Sequence, residues 1–86
     1  MRTTTVPGLP PAQAARLRRV RYALEVERRS PVEFRGKRLQ VARELVSIPL
    51  GRRWRAIFLR TPLGYQFRDC LSHERYNHLN LATYLG

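Results

Sequence analysis

Arginine is the residue whose abundance could do chemistry in this chain. Of 86 residues, 17 are basic and 6 acidic, giving a net charge of +11, and Lys37 is the single lysine. Guanidinium forks bind phosphate bidentately and stack on bases, which a compact ammonium cannot do. A charge of this size repels itself in the compact state, so it points to a polyanionic partner, RNA first among them. Trp54 lies between Arg53 and Arg55, a pattern that suits stacking on a nucleobase, although a strand tryptophan flanked by charges is more often core. Lys37, Arg38, Arg52, Arg53, Trp54, Arg60 and Arg68 are the candidate nucleic-acid contacts.

Other chemistries find little to work with. His73 and His78 have neither cysteine nor paired carboxylates beside them, so no metal site is expected. No glycine-rich phosphate loop and no Ser-His-Asp constellation can be assembled, and no cofactor is expected. Cys70 is alone, which excludes an intrachain disulfide and reads as a small buried strand residue. The opening MRTTTVPGLPPA has no apolar run and no later stretch approaches membrane-spanning length, so the expected location is the cytoplasm, with no membrane partner.

The elements that must position these residues can be read from period and punctuation. A hydrophobic content of 43% supports one small core, and 1–86 reads as a single domain. Residues 1–10 form an arm that ends at a proline pair. Residues 11–29 follow as a helix with Leu17, Val20, Ala23 and Leu24 on its core stripe and Arg18, Arg21, Arg28 and Arg29 on an outer basic ridge. Ser30-Pro31 stops it. Arg35-Gly36-Lys37-Arg38 reads as a basic turn. Residues 45–50, 54–60 and 65–71 have strand character and are joined by turns at 51–53 and 61–64, so an antiparallel meander over 45–71 is expected. Pro49 cannot donate to a ladder, which makes its strand an edge or places the proline where no donor is needed. The tail, 72–86, suits a short helix or a partner-bound extension.

The order Phe34, Lys37-Arg38-Leu39, Leu45-Val46-Ser47-Ile48, Leu50-Gly51-Arg52, Trp54-Arg55-Ala56-Ile57 and Ser72-His73-Glu74-Arg75-Tyr76 resembles the RelE/ParE superfamily, in particular its compact ParE-like branch. The resemblance implies an α+β fold: an N-terminal helix packed on a three-stranded antiparallel sheet, whose other face meets RNA, and a short C-terminal helix or extension. It implies a toxin of a type II toxin-antitoxin system, an RNA-binding, ribosome-dependent and metal-independent mRNA interferase. By position, Arg55 would clamp the phosphate, His73 would act as acid or base, and Tyr76 would orient the nucleophile or stack on a base; these three are the candidate catalytic residues. An imidazole titrates near neutrality, which suits the role given to His73. The plainer alternatives are a solvated charge at Arg55, a turn or cap residue at His73 and a core filler at Tyr76. Ser47 and Pro49 stand where active RNases of the superfamily carry basic residues. That departure keeps a second reading open, a non-catalytic basic RNA- or ribosome-binding module of toxin-like fold within a larger nucleoprotein assembly. The gyrase-poisoning relatives suggest a third, an inhibitor of a topoisomerase. An acidic antitoxin covering the basic face or an open strand edge is the expected protein partner.

Overall fold

The computed structural model describes residues 8–39 and 42–78, excepting the side chains of the last two. Helix α1, Pro11–Arg21, begins with a proline in its first turn, where the missing N–H costs nothing. It runs into a wider π-type turn at Tyr22–Val26, closed by a hydrogen bond from the Glu27 N–H to the Tyr22 carbonyl at 3.1 Å. The winding therefore ends at Val26, three residues short of the expected helix, and Arg28 leaves it at a φ of 56°. Ser30 and Glu33 then form a reciprocal capping box around a single 3-10 turn at Pro31–Phe34.

The sheet has four strands, not three, in the order β1-β2-β3-β4, all antiparallel. They are β1 (Lys37–Arg38), β2 (Leu45–Pro49), β3 (Trp54–Thr61) and β4 (Gly64–Ser72). The added strand lies inside the segment read as a basic turn; two residues are too short to show alternation. A short helix, α2 (His73–His78), follows β4 directly. Residues 1–7 of the expected arm and 79–86 of the expected tail lie outside the described residues.

β2 is not an edge. The Leu50 N–H donates to the Trp54 carbonyl at 2.8 Å, so even-numbered residues of β2 bond to β3 and odd-numbered ones turn their backbone groups the other way. Pro49 therefore points its missing N–H past the end of β1, where no ladder asks for a donor.

Alternation along the strands splits the core between two faces. Val46, Ile48, Ala56, Phe58 and Cys70 meet Leu17, Val20 and Leu24 of the helical segment. Phe58, fully buried, meets Phe67 edge to face with ring centroids 5.6 Å apart. A smaller cluster on the opposite face joins Leu39, Ala42, Leu45, Ile57 and Leu71, with Leu59 and Tyr76 against it.

The helix-facing side holds one surprise for the sequence. Arg21 is not on the outer ridge; four residues after Leu17, it borders the core stripe, and its guanidinium lies 4.6 Å over the Phe67 ring. It also pairs with Glu25 at 3.2 Å. Glu25, carried round by the π turn, accepts a 2.8 Å hydrogen bond from the Phe67 N–H of β4. Between Ile57 and Phe58 the β3–β4 register shifts by one, leaving a bulge at Arg68.

Candidate functional site

On the face away from α1, β3 presents Arg55, Ile57 and Leu59 in succession. Ile57 and Leu59 join the smaller core cluster, which fixes the orientation of the strand and brings Arg55 to the same face at its start. Arg55 is half-buried. Its Nη1 donates to the Ser47 hydroxyl at 3.4 Å, and its guanidinium carbon lies 5.1 Å from the centre of the Tyr76 ring. Both contacts are uncharged, so neither neutralises the cation. Together they hold the guanidinium at this corner, with one of its five N–H donors directed at Ser47 and its charge set over the Tyr76 ring. The remaining donors along its edge form a fork of the kind that takes a phosphate.

Lys37 is the second cation of this corner. It pairs directly with Ser47 across β1 and β2, and cross-strand partners share a face. Ser47 is itself 1% exposed and lies between Lys37 and Arg55. A basic residue is thus missing from β2 but present on the adjacent strand. Pro49, opposite Arg55, completes this end of the face.

Tyr76 reaches Arg55 because α2 starts where β4 stops. The His73 N–H donates to the Arg53 carbonyl at 2.7 Å, extending the β3–β4 ladder into the first residue of the helix, and the Ser72 hydroxyl accepts from the Arg75 N–H at 3.3 Å. His73 is exposed beside Arg53, three residues before Tyr76, and so on the same side of one helical turn. The structure thus joins Arg55 to Tyr76 by contact and ties the backbone of His73 to Arg53.

The other candidates disperse. Arg38 pairs with Val46, a residue of the helix-side core, and therefore projects away from Lys37 despite being its neighbour in sequence. Trp54 packs against that same core, and Arg60, of equal parity on β3, points with it. Arg52 and Arg53 are exposed in the β2–β3 turn, and Arg68 sits in the bulge. Two cations outside the candidate contacts read from the sequence approach the corner. Arg16 extends from α1 to the Pro49 carbonyl, 3.4 Å from its Nε, and Arg35 stands just before β1 at a φ of 62°. Only the folded arrangement of helix and sheet brings them there. Among the described residues no three histidine, cysteine or carboxylate side chains gather where they could hold a metal ion. No described helix is long and apolar enough to cross a membrane.

A helical segment on one face of an antiparallel sheet, closed by a short helix that returns a tyrosine to a strand arginine, is an α+β domain with its polar site on the open face. The family model of the ParE-like toxin domain matches residues 15–78, and the chain belongs to that family, within the RelE/ParE superfamily of toxin-antitoxin toxins. Among curated proteins and solved structures no significant match is found. A toxin domain of this kind generally has an antitoxin as its protein partner.

Proposed function

We propose that this toxin domain binds RNA and acts as a ribosome-dependent, metal-independent mRNA interferase. The observation that carries the reading is the Arg55 guanidinium, held between the Ser47 hydroxyl and the Tyr76 ring, with Lys37 beside Ser47. In this reading Arg55 and Lys37 receive the scissile phosphate and stabilise the charge that grows on its oxygens as the 2′-hydroxyl attacks. The P–O bond to the 5′-leaving oxygen breaks, and a cyclic phosphate forms. His73, the imidazole of the corner, takes the proton of the attacking 2′-hydroxyl and returns it to the leaving 5′-oxygen. Tyr76 positions Arg55, and the ribosome positions the strand.

Ser47 favours the second reading, a non-catalytic basic module of toxin-like fold that binds RNA or the ribosome within a larger nucleoprotein assembly. A buried hydroxyl cannot replace a strand cation in charge stabilisation. Primer extension on mRNA from induced cells separates the two. The interferase reading expects new 5′ ends within codons on translating ribosomes, lost in Arg55→Ala and His73→Ala. Ribosome association without new ends would instead identify the binding module.

A further inference from the structure

Two grooves flank the helical segment, and their charge differs. The first runs between α1, the π turn and the 3-10 turn; its cations Arg18, Arg19 and Arg29 share it with Glu27 and Glu33. Arg29 is already paired there, 2.8 Å from Glu33 and 3.9 Å from Glu27. The second lies at the end of the sheet, beyond the start of β1. Arg16, Arg35 and Arg52 line it together with Gln13, Pro49 and Gly51, and among the described residues no carboxylate does.

Three separate segments bring the guanidinium groups of the second groove together: α1, the residue that caps the 3-10 turn, and the β2–β3 turn. Like charges gathered without a counter-charge raise the energy of the empty groove, and an anion offsets that cost. The first turn of α1 adds to the same potential, since it has no side-chain cap and no acidic residue. The turn is closely fitted. Gly51 has a φ of +103°, and a Cβ placed on it would stand 2.9 Å from the Gln13 side-chain nitrogen. The groove also continues the Arg55 corner, because Pro49 lines it and is the cross-strand partner of Arg55.

We propose that this groove is a second phosphate subsite, which holds a neighbouring phosphodiester of the RNA strand whose scissile phosphate lies at Arg55. The inference rests on the RNA reading above and adds the path of the strand, from the open face round the end of β2 toward the start of α1. A phosphate accepts hydrogen bonds around a tetrahedron, which suits forks arriving from three segments. A carboxylate offers its oxygens in one plane.

The test is binding of a fluorescent single-stranded oligouridylate as a function of salt, with a polyglutamate peptide as competitor. Two double variants remove equal charge: Arg35→Asn with Arg52→Gln in the groove, and Arg18→Gln with Arg19→Gln in the compensated one. Asparagine tolerates the left-handed backbone at position 35. For a single strand, each phosphate no longer neutralised lowers the slope of log K against log salt by about 0.7, so the groove double variant, which empties a subsite for one phosphate, is expected to lower it by roughly 0.7. The control pair should leave the slope unchanged. Arg52→Gln alone, in an exposed turn, carries half the effect and guards against misfolding of the double variant. Equal weakening in the two double variants would show a diffuse field and overturn the subsite. Competition by polyglutamate as strong, charge for charge, as by RNA would overturn it in favour of an acidic protein. If the native chain does not bind the oligonucleotide, the RNA reading itself fails. If binding depends on Arg55 but not on Arg35 or Arg52, the subsite alone fails.

Discussion

Glu25 ties the helical segment to the outer strand, and its removal measures how much of this small fold hangs on one carboxylate. Phe67 pairs with Phe58, whose backbone groups face β2, so alternation turns the Phe67 N–H toward the free edge of the sheet. The Glu25 carboxylate meets it at 2.8 Å and Arg21 at 3.2 Å, with both ion-pair side chains about three-quarters covered, at 26% and 29% exposure. A hydrogen bond to a charged group contributes about 1.5 to 3 kcal/mol, and edge exposure argues for the lower half, so Glu25→Ala should cost about 2 kcal/mol. Glu25→Gln keeps an acceptor and loses the charge, at about half that cost. For a domain of this size about 1 kcal/mol shifts Tm by roughly 4–8 °C, so the alanine variant should melt about 8–16 °C lower. Urea unfolding followed by Trp54 fluorescence gives the free energy, and amide exchange gives the location. The Phe67 amide should be protected in the native chain and exposed in the variant. An alanine variant within about 0.3 kcal/mol of the native chain, or a native Phe67 amide that exchanges as fast as that of an unbonded edge residue, would refute the reasoning.

Four further outcomes are expected. Burial, with Asp69 beside it, pushes the Cys70 thiol up to about 12, so native Cys70 should resist iodoacetamide at mildly alkaline pH and react once denaturant opens the core. A Cβ on Gly36 would stand 2.7 Å from the Pro31 Cβ and 2.8 Å from its carbonyl oxygen, so Gly36→Ala should lose about 1–3 kcal/mol in urea unfolding. The Arg29 hydrogen bond holds the Glu33 carboxyl below its ordinary range, so its contribution is present above that range and fades as pH falls through the lowered value. Proton titration by NMR should show the Ser30 and Glu33 signals moving together, less so in high salt. Arg52→Glu should leave thermal stability equal or higher while weakening oligouridylate binding; lower stability would assign Arg52 a structural task instead.

The strands were legible because each is long enough to alternate and is bounded by residues that turn. Val46 and Ile48, Ala56 and Phe58 keep their parity from sequence to structure. β1 was not legible, since two cations in a row carry no period and become a strand only by pairing with Val46 and Ser47. That pairing also divides Lys37 from Arg38 between opposite faces. The sequence placed the helix stop at Ser30-Pro31, but the winding ends at Val26, in a π turn whose Glu25 reaches β4, a contact 42 residues distant in sequence. Of the site, the meeting of Arg55 with Tyr76 follows from the direct passage of β4 into α2, and the family resemblance anticipated both residues. Arg16 and Arg35 were invisible as site residues. The first sits among other helical arginines and the second in a turn, and only the end of β1 leaves the gap between them.

The distribution of acids separates cations that are paired within the fold from cations that no described acid faces. Glu25, Glu27 and Glu33, half of the six acids, lie in the helical segment and the turn after it, and there Arg21 and Arg29 are paired. Such pairs gain little at a surface, but they remove local repulsion. The groove at the end of the sheet receives no such relief from the residues that line it, and Arg55 beside it leans on a hydroxyl and a ring. A domain selected for stability alone would place an acid among Arg16, Arg35 and Arg52. Keeping them uncompensated makes the empty protein less stable than it could be, and the deficit is recovered only when an anion arrives. Stability and binding therefore oppose each other at this corner, whereas around Arg21 and Glu25 they do not.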